Sequence, residues 1–160
     1  MRRRFSNADL SMESILANNR KWVAKKNKEE PTFFTKLGQG QSPKFLYIGC
    51  SDAKGCTSIT GLELGSLFVH RNLGNLVVPC DLNLLSALTY AVDHLKVRHI
   101  LVVGHYDCTA IKAAVKRQEL GVMDNWFSNI RDVWRMHREE LDAIECKEAF
   151  HRRLVELNVH

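Results

Sequence analysis

The chain has 160 residues, of which 45% are hydrophobic and 26% are charged, and its formal net charge at pH 7 is +5. That length suffices for one domain with a sizeable core, and no apolar stretch approaches the roughly 20 residues that cross a bilayer. The basic residues are spread from Arg2 to Arg153 without a nucleic-acid-binding motif, so we expect neither a membrane nor a nucleic-acid partner.

The N-terminal region predicts a helix rather than a targeting signal. Apolar residues recur at helical spacing from about Asp9 to Lys28, and Ser6 to Asp9 precede them as a candidate capping box. The basic start, Met1 to Ser6, is followed by no apolar core of a secretory signal. We therefore expect a cytoplasmic protein, with an organelle matrix as the alternative. We also expect an N-terminal helical arm over residues 1–32 and the main domain over residues 33–160.

The rest of the chain alternates apolar runs with amphipathic stretches. After a turn-rich segment from Pro31 to Pro43, the predicted order is strand, loop, strand, helix, strand and then helices. The predicted strands are Phe45–Gly49, Leu67–Arg71 and Ile100–Gly104, and the predicted helices run from Asp81 to about Leu95, Thr109 to about Arg117, Met123 to Ile144 and Glu145 to Leu157. Such alternation favours a single α/β domain in which helices flank a mostly parallel sheet.

Candidate metal ligands stand where two of the predicted strands end. Cys50 follows the first strand, and His105 and Cys108 follow the third. Because the carboxyl ends of parallel strands open onto the same edge of a sheet, these distant side chains can meet there. Two thiolates and an imidazole form a set that zinc accepts, with a fourth position for water or another group. The alternative is that the cysteines are buried small hydrophobes and the histidine is a hydrogen-bonded core residue.

Further motifs surround these candidate ligands. They are Gly40-Gln41-Ser42-Pro43, Cys50-Ser51-Asp52, Gly61-Leu62, Phe68-Val69-His70-Arg71-Asn72, Asn75-Leu76-Val77, Tyr90-Ala91-Val92, Gly104-His105-Tyr106-x-Cys108 and Asp124-Asn125-Trp126. In this order the motifs closely resemble the β-class carbonic anhydrases, from about Phe33 to the C-terminus. The resemblance implies a zinc-dependent lyase of that α/β fold, in which zinc-bound hydroxide reversibly hydrates carbon dioxide to bicarbonate.

The same resemblance implies roles for individual side chains. Asp52 would accept a hydrogen bond from the water on the zinc, and Gln41 would donate one to a substrate oxygen. Phe68, Leu73 and Tyr90 match the residues that shape the carbon dioxide pocket, often across a dimer interface. We therefore expect Zn²⁺ as cofactor, carbon dioxide and bicarbonate as small-molecule partners, and a homodimer or higher homo-oligomer.

The chain departs from the family's pattern beside Asp52. Relatives usually have an arginine where this chain has Lys54, and a flexible ammonium cannot reproduce the two-pronged contact of a guanidinium with a carboxylate. If Lys54 fails to restrain it, Asp52 would bind the zinc as a fourth ligand and close the site. The alternatives to a fully active enzyme are low activity, an impaired relative with a structural zinc, and a hydrolase of carbonyl sulfide or carbon disulfide.

Other departures concern the second ligand loop, an arginine and the C-terminus. The family's Gly-Cys-Gly-Gly is here Asp107-Cys108-Thr109-Ala110, and we expect Asp107 to be a loop acid or a helix cap. We expect Arg71 to pair with a carboxylate near the sheet end rather than to bind a bicarbonate effector. Relatives usually continue beyond the position of His160 with a helix and an edge strand. Either the sequence is shortened or the protein assembles differently.

Overall fold

The computed structural model describes residues 11–52, 57–116 and 119–160. The chain separates between Gln41 and Ser42 into two compact units. The N-terminal unit contains α1 (Met12–Glu29) and α2 (Phe33–Gly38). Among the described residues, no helix combines the length and the hydropathy that crossing a membrane requires.

Helix α1 starts at a residue whose side chain satisfies an exposed backbone donor. The hydroxyl of Ser11 accepts a hydrogen bond from the backbone N–H of Ser14 at 3.1 Å. The candidate capping box at Ser6 to Asp9 lies outside the described residues. Helix α2 occupies part of the segment predicted to be turn-rich, so that prediction missed a short helix. Its Phe34 packs edge to face against Trp22 of α1, with ring centroids 5.8 Å apart, and this aromatic packing stabilises a helix that local sequence signals do not reveal.

The second unit is built on a parallel sheet with three strands in the described part of the chain. They are β1 (Phe45–Cys50), β2 (Leu67–Asn72) and β3 (His99–Val103), in the spatial order β2–β1–β3. The central strand pairs in parallel with both neighbours, so that Gly49 lies beside Arg71 on one side and Val103 on the other. The predicted α/β fold with a parallel sheet is therefore confirmed.

Helices connect and cover these strands. They are α3 (Leu82–Thr89), α4 (Thr109–Lys116), α5 (Val122–Met136), α6 (Arg138–Asp142) and α7 (Lys147–Leu157). Asp81 caps α3 as predicted, because its carboxylate accepts the backbone N–H of Asn83 at 3.1 Å. The last turn of this helix widens into a π-helical turn at Tyr90–His94.

The prediction of one long helix from Met123 to Ile144 is wrong. Helix α5 ends at Met136, because His137 leaves the helical region with φ −110° and ψ 30°, and α6 begins one residue later. The apolar period nevertheless continues across the break, and Leu141 is fully buried. Hydrophobic spacing therefore identified the buried face correctly but carried no signal of the backbone break.

Two apolar clusters stabilise this unit. One includes Leu46, Ile48, Leu84 and Ala91, so it joins β1 to α3 and the turn that follows it. The other contains buried residues of α4, α5, α6 and α7: Ala110, Ile111, Ala114, Phe127, Ile130, Leu141, Leu154, Val155 and Leu157. Cys50 and Cys108 belong to this second cluster, so both candidate sulfur ligands are packed among apolar side chains of the helices rather than exposed to water.

Replacing Ile130 with alanine tests this second cluster. Ile130 is fully buried on α5, so Ile130→Ala is expected to lower the free energy of unfolding by about 2–5 kcal/mol through lost apolar contacts and a residual cavity. Met136 lies on the same helix but is 71% exposed, so Met136→Ala should change stability by less than about 0.5 kcal/mol. Urea unfolding of both variants measures the difference, and equal values would contradict the described packing of α5.

Candidate metal centre

The structure brings together the three residues that the sequence proposes as metal ligands. One ligand atom from each of Cys50, His105 and Cys108 lies within 4.8 Å of the others, and the two Sγ atoms are 3.7 Å apart. Cys50 ends β1, whereas His105 and Cys108 lie in the short loop between β3 and α4. Within the described ranges, no other group of three or more histidine, cysteine or acidic side chains has this geometry.

The two ring nitrogens of His105 differ in their hydrogen bonding: one has a partner, and the other has none among the described residues. Nδ1 of His105 lies 3.0 Å from the carbonyl oxygen of Tyr106, which assigns the proton to Nδ1 as the donor. Nε2 is buried and has no hydrogen-bond partner among the described residues. An unsatisfied buried acceptor costs free energy, which coordination of a metal ion would offset. The donor set therefore fits a zinc ion.

The two thiols share a proton across their contact. The pKa of Cys50 is lowered chiefly by the hydrogen bond from the Cys108 thiol, and further by the backbone N–H groups of Asp52 and Gly74 at 3.4 Å and 3.3 Å from its sulfur. The same pairing, together with burial, raises the pKa of Cys108. The metal-free pair therefore holds one thiolate and one thiol near neutral pH, and a divalent cation would displace the remaining proton.

A tight loop after β2 supplies one of those N–H groups. The side-chain amide of Asn72 accepts from the backbone N–H of Leu76 at 2.7 Å and donates to its carbonyl at 2.8 Å, which closes the loop. Gly74 lies within it at φ +85°, and a Cβ there would lie only 3.2 Å from Cδ1 of Ile130. Asn72 entered the sequence-based prediction only as part of a motif, without this role, and Gly74 was missed. A glycine two residues after the end of a strand, beside an asparagine, was the available signal for a left-handed turn.

Arg71 crosses the strand end that carries Cys50. Its guanidinium donates from Nε and Nη2 to the carbonyl oxygen of Cys50, at 2.8 Å and 2.5 Å, and from Nη2 to the carbonyl oxygen of Asp52 at 2.9 Å. These are contacts with the backbone of the ligand loop, which the sequence did not predict. They fix the path of the chain from Cys50 to Asp52.

Asp52 is held by the residue that follows the second cysteine. Its Oδ2 accepts hydrogen bonds from the hydroxyl of Thr109 at 2.9 Å and from the backbone N–H of the same residue at 3.5 Å. The carboxylate is not among the ligand atoms that lie within 4.8 Å of one another. Lys54, the predicted partner of Asp52, lies outside the described residues.

Of the predicted pocket residues, Phe68 lies on β2, Leu73 directly follows this strand, and Tyr90 begins the π-helical turn after α3. The rings of Phe68 on β2 and Tyr90 after α3 pack with centroids 5.6 Å apart. Leu73 and Tyr90 are partly exposed, at 40% and 45%. Gln41 is the last residue of the N-terminal unit, and its contact with a substrate remains a prediction.

A parallel α/β sheet with two cysteines and a histidine at its carboxyl edge defines a class of metal-binding proteins. Residues 45–160 match the family described as "Carbonic anhydrase". The chain therefore belongs to the carbonic anhydrase family, and its structural neighbours identify the β class.

Relatives are found both among curated proteins and among solved structures. A carbonic anhydrase of Emericella nidulans is 51% identical over 148 residues, which cover 92% of this chain and 65% of the relative. One of Candida albicans is 33% identical over 95% of this chain and 55% of its own length. A tetrameric β-carbonic anhydrase of Sordaria macrospora superposes with a TM-score of 0.87 at 40% identity, covering 91% of this chain and 75% of that one. The Coccomyxa β-carbonic anhydrase gives 0.86 at 40% identity, covering 94% and 68%. The chain thus spans between about half and two thirds of these curated relatives.

The shared proton of the thiol pair predicts how the metal-free protein titrates. Because the pKa of Cys50 is lowered and that of Cys108 is raised, one of these two sulfurs is expected to be ionised at neutral pH and the other to remain protonated. Thiolate ultraviolet absorbance at neutral pH should fall in Cys50→Ser and stay unchanged in Cys80→Ser, whose parent side chain is exposed. Zinc affinity should increase as the pH rises, since Cys108 must lose its proton to bind metal. An absorbance unaffected by Cys50→Ser would contradict the arrangement.

Proposed function

We propose that this protein is a zinc-dependent β-class carbonic anhydrase that catalyses the reversible hydration of carbon dioxide to bicarbonate. The observation that carries the proposal is the set of Cys50, His105 and Cys108 in a chain of this family, in which both cysteines are buried and one imidazole nitrogen has no hydrogen-bond partner among the described residues. A curated relative with the name carbonic anhydrase, 51% identical to this chain, supports it.

The residues of the centre would hold and tune the metal in distinct ways. A zinc ion bound there supplies Lewis acidity, which lowers the pKa of a water molecule enough to yield a nucleophile near neutral pH. His105 is oriented by the carbonyl of Tyr106, and the sulfur of Cys50 by two backbone N–H groups. Two thiolates offset the charge of a dication more than imidazoles do, so neighbouring polar groups must contribute more to catalysis.

Asp52 is the neighbouring polar group that is best placed to contribute to catalysis. Its main chain hydrogen-bonds to the sulfur of Cys50 and to Arg71, and its carboxylate accepts a hydrogen bond from Thr109, the residue after Cys108. In the proposed reaction it accepts a hydrogen bond from the attacking water and so aligns that water. Gln41 would donate a hydrogen bond to a substrate oxygen.

An apolar pocket for carbon dioxide would be shaped by Phe68, Leu73 and Tyr90. The packing of the Phe68 ring against the Tyr90 ring supports a shared apolar wall. Carbonyl sulfide and carbon disulfide are linear molecules of similar polarity, so a panel of these substrates has to separate hydration from hydrolysis.

The second candidate is an impaired relative in which zinc is structural. The observation that favours it is Lys54, which stands where the family pattern has an arginine. If wild-type activity is low, Lys54→Arg separates the two candidates: recovered activity would indicate a weakened catalytic site, and no recovery would favour a structural zinc.

Stopped-flow measurement of carbon dioxide hydration tests the proposed activity. Zinc-loaded wild type should exceed the buffer rate, and Asp52→Asn should lower kcat/KM by about 10- to 100-fold, because the amide cannot accept a hydrogen bond in the same way and carries no charge. Asp93→Asn is the matched control, since Asp93 is an exposed acid in the turn after α3. A wild-type rate equal to buffer at every pH would exclude the activity.

We also propose a homodimer or a higher homo-oligomer. Several apolar side chains of β2, α3 and the segments that follow them are exposed: Val69, Leu73, Leu85, Tyr90 and Val92. Exposed apolar surface of this kind is typical of an interface, and the Sordaria relative is described as tetrameric.

Sedimentation velocity at micromolar concentration tests this assembly. Wild type should sediment as a dimer or larger, and Val92→Glu should shift it toward monomer, because a buried unpaired carboxylate disfavours the interface. Val122 is 84% exposed on α5, so Val122→Glu adds the same charge as a control. A wild type that sediments only as a monomer would contradict the proposal.

A further inference from the structure

The contact between Thr109 and Asp52 joins the two loops that carry the metal ligands. Asp52 lies two residues after Cys50, and Thr109 lies directly after Cys108. Both polar groups of Thr109 point to the same carboxylate oxygen, the hydroxyl at 2.9 Å and the backbone N–H at 3.5 Å. One side chain of the second loop therefore fixes one side chain of the first.

The rest of Asp52 is already fixed through its backbone. Its N–H donates to the sulfur of Cys50 at 3.4 Å, and its carbonyl accepts from Arg71 at 2.9 Å. With both main-chain groups held, the contacts of the side chain set the position of the carboxylate, and Thr109 provides two of these contacts.

The N-terminus of helix α4 stabilises the negative charge of the Asp52 carboxylate in this contact. Thr109 is its first residue, and the first N–H groups of a helix have no partner within the helix and favour a negative charge. A hydrogen bond from a hydroxyl to a carboxylate is among the stronger kinds, because its acceptor is charged. The carboxylate therefore has a defined position away from the metal ligands, which agrees with its absence from the group of atoms within 4.8 Å.

We infer that Thr109 is a positioning residue that holds the carboxylate of Asp52 away from the fourth position of the metal. This inference rests on the proposed zinc site and extends it. The family pattern has glycine at this position, which offers no hydroxyl, whereas the chain carries a lysine in place of the arginine expected to restrain Asp52. Thr109 thus supplies a restraint from the second ligand loop.

The inference is tested on the full chain loaded with Co²⁺, whose visible spectrum reports its coordination. In wild type, added azide should change the spectrum, because an anion can enter the fourth position. In Thr109→Val, which keeps the shape and removes the hydroxyl, Asp52 should occupy that position and the response to azide should be lost. Thr109→Ser should respond like wild type. Asp52→Asn added to Thr109→Val should restore the response, since an amide is a poor metal ligand.

Hydration by the zinc-loaded proteins is the second readout. Thr109→Val is expected to lower kcat by about tenfold with KM little changed, and Thr109→Ser to stay within about threefold of wild type. Thr32 is an exposed threonine at the start of α2 whose side chain makes no capping hydrogen bond, so Thr32→Val controls for the substitution itself. Because Thr109 is exposed, each variant should fold, which circular dichroism verifies.

The outcomes separate this inference from the proposed activity. A Thr109→Val protein that keeps its azide response and its kcat would overturn the inference and leave the carbonic anhydrase proposal intact. A Thr109→Ser protein that behaves like Thr109→Val, or a wild type without any azide response, would also overturn it. A wild type that responds to azide but hydrates no carbon dioxide would exclude the activity, while the cobalt spectra of the variants still decide the role of Thr109. Failure of wild type to bind Co²⁺ or Zn²⁺ would overturn both.

Discussion

Parallel pairing of β1 with both of its neighbours is the constraint from which the metal centre follows. Because the three strands run in one direction, their carboxyl ends emerge along a single edge of the sheet. Cys50 stands at the end of the central strand, the Gly74 loop follows one neighbour, and His105 follows the other. A ligand from one strand, an N–H donor from the second and two ligands after the third therefore converge without a long excursion of the chain.

Burial of two sulfur atoms at this edge of the sheet removes them from water. Hydrogen-bond donors of the protein must therefore take the place of water, and the surrounding loops provide them. The sulfur of Cys50 accepts from two backbone N–H groups, and the loop that presents Gly74 is closed by Asn72. Helix α5 holds the same loop, because Trp126 donates from Nε1 to the carbonyl oxygen of Leu73 at 2.7 Å. Such donors stabilise a buried thiolate, so residues far from any ligand in sequence contribute to the electrostatics of the site.

The sequence revealed those features that depend on local pattern. Apolar runs bounded by turn residues placed the strands, Asp81 marked the start of α3, and cysteine and histidine at strand ends marked the ligand set. Features that depend on tertiary contacts were missed or misjudged. The break at His137 leaves the apolar period intact, and α2 is stabilised by aromatic packing. Thr109, which donates a hydrogen bond to the Asp52 carboxylate, lies 57 positions away from it. No periodicity or capping signal encodes a hydrogen bond of that separation.

The end of helix α7 also contacts the ligand region, through Asn158. Its side-chain amide donates to the carbonyl oxygen of Gly74 at 2.8 Å, across a separation of 84 residues. Closing so long a segment of chain costs conformational entropy and slows folding. This support of the loop that presents an N–H group to Cys50 can form only after residue 158 has been synthesised.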